Sequence, residues 1–167
     1  MVRIGLLSDT HGYWDERYAE FFAPCDEIWH AGDIGDITLY NQLLNCKPVR
    51  AVVGNIDGYP LRNMLPTIHT FEIENIRVLM THIGGYPGKY APGIIQKLRT
   101  EHTTLFISGH SHILKVMYDP TLGLLHINPG AAGRQGFHKV RTLIRFVIDG
   151  EKIKDLEIKE IPLNEAN

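Results

Sequence analysis

Five places in this chain set metal-type side chains directly after a run of strand-forming residues: Asp9-Thr10-His11, Gly32-Asp33, Gly54-Asn55, His82 and Gly109-His110-Ser111-His112. Carboxylate oxygen, amide oxygen and imidazole nitrogen in one set suit divalent manganese, iron, nickel, cobalt or zinc, whereas an all-oxygen set would favour magnesium or calcium. In extended chain, positions i and i+2 point to the same side, so Asp9 with His11, and His110 with His112, are expected to converge. The neighbouring glycines let backbone turn sharply and approach an ion or a phosphate without a Cβ clash. Asp9 and Asp33 are the only obligate anions among these candidates, so a site holding two divalent cations keeps a net positive charge. Such a site attracts hydroxide and phosphate.

Positioning these residues requires strands that end in polar loops. Val2 to Leu7 is an almost unbroken apolar run ending at SDTHG, and Glu27 to Ala31 and Pro48 to Val53 repeat the pattern ahead of Asp33 and Asn55. Between them, Asp15 to Phe22 carries apolar residues at helical spacing, and Thr38 is the expected cap of a helix holding Leu39, Leu43 and Leu44. Strand, polar tip, helix, strand implies parallel α/β architecture with ligand groups beyond the carboxyl ends of the strands. Thr70 to Ile73 and Arg77 to Thr81 read as an antiparallel pair, and Thr104 to Ile107 as a strand feeding the Gly109 loop. Strands then dominate, with a hairpin turn at Asp149-Gly150. The stretch GGYPGKYAPG reads as a flap over the site. The expected fold is a two-layer β-sandwich flanked by helices, a single domain spanning residues 1–167.

Composition removes several classes. A formal net charge of −2 provides no basic footprint for long nucleic acids. Two cysteines, Cys25 and Cys46, without a CxxC pairing, offer neither a disulfide framework nor a thiolate zinc site and fit a reducing cytoplasm. No signal peptide or long apolar span is evident, so a cytoplasmic protein without a membrane partner is expected. Nine histidines in 167 residues exceed what packing usually supplies, which directs attention back to the strand tips.

D-x-H, GD, GN-x-D, a lone strand-end His and GH-x-H, in this order, resemble the calcineurin-like metallophosphoesterase superfamily. The short length and the NPG at Asn128 resemble its compact prokaryotic phosphodiesterase branch, related in fold to the retromer scaffold subunit. The resemblance implies one metal held by Asp9, His11, Asp33 and His112, and a second held by Asp33, Asn55, His82 and His110, with Asp33 bridging. It further implies two divalent ions, manganese foremost, and hydrolysis of phosphodiesters by attack of a metal-bridging hydroxide, with Asp33, Asn55 and Asp57 as the catalytic group. Asp57 is expected to orient a ligand histidine. The expected partner is a small phosphoester substrate, and self-association into a homo-oligomer stays open. The alternatives are a phosphomonoesterase, a nuclease for small nucleotides, or a non-catalytic metal-bound scaffold.

Three positions depart from the pattern, one of them Ala131, which stands where NPG is often followed by Ser. Ile56 stands where many relatives have a proton-donating His after the GN asparagine, and Ile83 stands where many have Gly after the lone His. His30 is expected in the core or behind a ligand, and Arg134 and His138 follow the NPG turn where a cation could meet phosphate. Tyr86, Lys89 and Tyr90 either line the entrance or belong to an ordinary loop.

Overall fold

Alternation along the first strand already separates the layers of the molecule. The computed structural model describes residues 1–163. In β1 (Val2–Leu7), Ile4 and Leu6 enter a cluster with Trp29, Val78, Ile107 and Phe146, whereas Leu7 joins Tyr18, Phe22, Ile28 and Leu39 on the opposite face. Gly5 lies under the Phe22 ring: an added Cβ would stand 2.5 Å from its Cδ1, so only glycine lets the following helix settle this close.

That helix, α1 (Glu16–Phe22), starts at Asp15, whose carboxylate accepts the Arg17 N–H. Next come β2 (Glu27–His30), α2 (Ile37–Cys46) and β3 (Val49–Ala51). The cap of α2 is Asp36 and not Thr38: its Oδ1 accepts the Leu39 N–H at 2.8 Å, because an Asp at this position reaches the third amide of the first turn. A single-turn helix, α3 (Leu61–Met64), is too short to leave a periodic trace in the sequence. The chain continues through β4 (Ile68–Ile73), β5 (Ile76–Thr81), β6 (Gly85–Tyr86), β7 (Lys89–Tyr90), α4 (Ile94–Thr100), β8 (Leu105–Ile107), β9 (Leu114–Asp119), β10 (Leu124–Pro129), β11 (Val140–Asp149) and β12 (Lys152–Pro162).

One sheet has the order β12-β11-β1-β2-β3 and the other β4-β5-β8-β10-β9. Ile4, Leu6, Trp29, Met80, Leu105, Ile127 and Ile144 fill the space between them. Residues of α1 and α2 cover the outer face of the first sheet, and Ile94 and Leu98 of α4 cover Leu79 and Phe106 of the second. The molecule is thus an α/β sandwich of two sheets flanked by helices.

Register places the loops. β1, β2 and β3 run parallel with Leu7 opposite His30 and His30 opposite Ala51, so the segments after these strands emerge side by side. β5 and β8 are likewise parallel, with Met80 opposite Ile107, which brings the residues after Thr81 alongside those after Ile107. The glycine- and proline-rich stretch is not a free flap. It forms the β6–β7 hairpin, whose Pro87-Gly88 turn suits a proline followed by a positive φ (89° at Gly88). Ser108 Oγ donates to the Gly85 carbonyl at 3.2 Å and Tyr90 OH to Asp119 Oδ2 at 2.6 Å, tying the hairpin to the second sheet. Among the described residues, no helix is long and apolar enough to cross a membrane.

Candidate metal centre

The strand-tip residues gather into two adjoining groups, Asp9 with His11 and His112, and Asp33 with His82 and His110. They do not converge by strand alternation. Asp9, His11, Asp33, His110 and His112 all adopt left-handed backbone, with φ between 47° and 73°. Asp and His enter this region more readily than bulky or β-branched residues, and such strain persists only where surrounding structure holds it, typically at functional sites. One outcome is that His110 and His112 part company, each joining a different carboxylate.

Asp33 lies between the groups. Its Oδ2 is 3.2 Å from His82 Nε2 and 3.6 Å from His11 Nε2. Asp9 Oδ1 is 3.1 Å from His112 Nε2, 3.7 Å from His82 Nε2 and 3.9 Å from His11 Nε2. The other carboxylate oxygens are held from behind: Asp9 Oδ2 accepts from Ser8 Oγ at 2.7 Å and His110 N at 3.2 Å, and Asp33 Oδ1 accepts from Ile56 N at 3.1 Å. Gly54 permits this packing, since a Cβ there would fall 2.1 Å from Asp33 Oδ1. Asn55 reaches the second group through its Oδ1, 3.1 Å from His110 Nδ1.

The hydrogen bonds also define which imidazole nitrogens are available. His82 Nδ1 lies 2.8 Å from the Ala31 carbonyl, which can only accept, so Nδ1 carries the proton and a neutral ring presents the Nε2 lone pair to the carboxylates. A relay does the same for His112. His138 Nε2 donates to the Gly133 carbonyl at 2.8 Å, so the Nδ1 of a neutral His138 accepts from His112 Nδ1 at 3.3 Å, freeing His112 Nε2. Asp9 Oδ1, His11 Nε2 and His82 Nε2 are buried without a hydrogen-bond partner. Orphaned ligand atoms on converging carboxylates and imidazoles are costly unless a cation satisfies them, and this donor set fits divalent metal ions.

Electrostatics around the carboxylates is consistent with a cationic occupant. Burial opposes ionisation of Asp9, yet the nearby His112 and His82 imidazoles and the Ser8 hydroxyl together hold its carboxyl below the usual range. Asp33 is likewise lowered, burial being outweighed by His82 and by the Ile56 amide. Burial acts to lower the His82 pKa, but Asp33 and Asp9 together raise it.

Asp57 does not orient a histidine. It is 2% exposed, and its Oδ2 accepts from Ile34 N at 3.1 Å and Gly54 N at 2.8 Å while Oδ1 accepts from Gly35 N at 2.9 Å. It clamps the loop carrying Asp33 to the loop carrying Asn55. Arg62 adds to the clamp by donating to the Gly54 and Asp57 carbonyls. His30 is fully buried; its Nδ1 accepts from Gly32 N at 3.0 Å and its Nε2 lies 2.9 Å from Thr10 Oγ1, which donates to the Ile34 carbonyl. Ile56 is exposed and offers only its backbone amide. Arg134 stacks over Tyr13, 4.7 Å from the ring centroid.

Sequence spacing did not reveal that His138 supports His112, because the two lie 26 residues apart on separate loops. Asn128 was visible only as part of NPG; its Nδ2 donates to Gly109 O and Ser111 Oγ and fixes the GH-x-H loop. Arg141, fully buried, pairs with Asp15 and donates to the Ala132 carbonyl, steadying the segment whose Gly133 amide bonds Asp9 O.

Two packed sheets with paired Asp/His groups at their strand ends define a metallophosphoesterase architecture. The chain belongs to the calcineurin-like phosphoesterase superfamily, whose domain model matches residues 2–151. A probable metallophosphoesterase of Methanothermobacter thermautotrophicus is 32% identical, covering 93% of this chain and 90% of the relative. Among solved structures, Vps29 of Entamoeba histolytica complexed with zinc superposes with a TM-score of 0.74 at 15% identity, over 97% of this chain and 99% of that one. A predicted phosphoesterase of Streptococcus pneumoniae gives a TM-score of 0.68 at 20% identity, over 98% of this chain and 90% of that one. The structural likenesses speak for the fold, and the family assignment points to phosphoester hydrolysis with divalent metal ions.

Proposed function

We propose that this protein is a phosphodiesterase with a dinuclear metal centre, manganese foremost, acting on small phosphodiesters in the cytoplasm. The observation that carries this reading is the orphaned trio of Asp9 Oδ1, His11 Nε2 and His82 Nε2 around a shared Asp33. Asp9, His11, Asp33 and His112 would hold one ion, and Asp33, Asn55, His82 and His110 the other. Bound there, divalent ions would lower the pKa of water and neutralise phosphate oxygens, the chemistry that in-line hydrolysis requires.

The chain's own contribution is positioning. Ser8, the His110 amide and the Ile56 amide hold the carboxylates, Ala31 and His138 set the tautomers of His82 and His112, and Asp57 joins two ligand loops. Ile56 places no acid beside the departing oxygen, so the leaving group departs as its anion and takes a proton from solvent. Diesters are favoured over monoesters by the resemblance to the compact branch.

The likeness to Vps29 favours one other reading, a non-catalytic scaffold. Buried ligand atoms left without partners argue against a metal-free scaffold, whereas a metal-bound scaffold would keep them, so turnover is what separates that reading from the enzyme. Metal analysis of protein purified without added metal, followed by a panel of monoesters, diesters and cyclic nucleotides, tests the choice. Two metals per chain with diester turnover abolished by chelator is the expected result; metal-free protein, or turnover surviving exhaustive chelation, would refute it.

A further inference from the structure

A cavity of about 390 Å³ opens beside the metal centre and is unused by the chemistry above. It lies between the β6–β7 hairpin and the His110 loop, and His110 itself forms part of its wall. A larger cleft of about 480 Å³, at Met1, Cys25 and Phe146, contains no residue of the centre and has no bearing on substrate.

The walls of the smaller cavity are chemically selective. Ile83, Tyr86, Tyr90, Ala91 and Ile113 make it largely apolar, although Ile83 is 49% and Ile113 64% exposed to water. These exposed residues follow ligands directly: Ile83 comes after His82 and Ile113 after His112. The charged side chains of its lining are Lys89 and Lys115, with no carboxylate among the lining residues. Lys115 Nζ sits 3.8 Å from the centroid of the Tyr86 ring, so cation and aromatic surface are presented together. Because Tyr90 and Ser108 tie the hairpin down, this wall is formed before any ligand arrives.

We propose that this cavity receives a planar aromatic substituent of the phosphodiester, making diesters that carry at least one such ring the substrate class. An electron-rich ring gains stacking and apolar burial against Tyr86, Ile83 and Ile113, and the two lysines favour its attachment to an anionic phosphate. A cationic substituent is disfavoured by the same lysines. The inference rests on the hydrolase reading, since the phosphate must sit at the metal centre for its substituent to reach beside His110.

Calorimetric titration of the metal-loaded protein tests it with two matched pairs, phenyl phosphate against ethyl phosphate and adenosine 5′-monophosphate against ribose 5-phosphate. Within a pair the phosphate is constant and the ring is the variable. The ring-bearing member is expected to bind about tenfold more tightly, or about 1.4 kcal/mol. A preference in the nucleotide pair alone identifies the ring as a nucleobase, and one in the phenyl pair alone identifies a small aryl group. In Tyr86→Ala and Ile113→Ser the preference should fall below about threefold, with ethyl phosphate affinity and metal content unchanged. Equal affinities within both pairs in the unmodified protein, or a preference that survives in both variants, overturns the inference and leaves the hydrolase reading standing. Failure of all four compounds to bind overturns the inference, while the hydrolase reading stands or falls on the diester panel above.

Discussion

Replacing Asp57 by Asn separates a positioning carboxylate from a catalytic one. In the native structure Oδ2 takes two amides, Ile34 and Gly54, and Oδ1 takes the third, Gly35. The single oxygen of Asn is best placed at the two-amide position, which turns its NH₂ toward the Gly35 N–H, donor against donor. One charge-assisted bond is then lost, worth about 1.5–3 kcal/mol, and the remaining two weaken by about 0.5–1 kcal/mol each as the charge disappears. The expected destabilisation is about 2.5–5 kcal/mol, a large part of the 5–15 kcal/mol typical of a domain, with a Tm lower by roughly 10 °C. Urea titration of chelator-treated protein measures it without interference from metal binding. Metal affinity should fall too, because the loops carrying Asp33 and Asn55 lose their common anchor. A variant with unchanged stability and metal content but no turnover would refute the clamp and place Asp57 among the reacting groups.

Further outcomes follow from the same geometry. Asp33→Asn should lose both metals, since its Oδ2 lies between the two groups, whereas His112→Ala should weaken mainly one; elemental analysis decides, and two metals per chain with normal turnover in Asp33→Asn would remove the dinuclear assignment. Burial pushes the His126 pKa down to about 4 against an ordinary 6.5, partly offset by its hydrogen bond to Phe106 O. Its contribution is therefore fully present above about pH 6.5 and is lost as pH falls toward 4, where the unfolded chain takes a proton that the folded chain refuses, by about 3 kcal/mol. In denaturant titrations of the metal-free proteins, the stability lost between pH 7 and pH 4 should be greater in wild type than in His126→Leu by that amount, and equal losses would contradict it. With Ile56 in place of an acid, log kcat should fall steeply as leaving-group pKa rises, and Ile56→His should flatten the dependence; general acids contribute about 10²- to 10⁴-fold, so indifference to the leaving group in the wild type would point to another donor or to slow product release.

Residue types and local order were enough to identify the ligand candidates and the elements that carry them. Val2 to Leu7 ahead of Asp9, and Glu27 to Ala31 ahead of Asp33, are legible because burial on both faces demands an unbroken apolar run and the polar tip follows it at once. The hairpin at Glu74-Asn75 is legible for the same kind of reason, since turn chemistry is local, and so is the last hairpin, although Asp149 pairs with Lys152 and its two-residue loop is Gly150-Glu151, one residue beyond the expected Asp149-Gly150. What no local rule contains is which strand ends become neighbours. That His110 joins Asp33 while His112, two residues on, joins Asp9 depends on β8 pairing with β5 in one sheet while β1 and β2 pair in the other, and on left-handed backbone at both histidines. The support of His112 by His138, the binding of three amides by Asp57 and the pinning of Gly109 by Asn128 are likewise decided in three dimensions. A hydrogen bond between distant loops leaves no periodicity in the chain; it exists because packing two sheets face to face brings their loops to one edge, where buried polar groups must find partners or bind an ion.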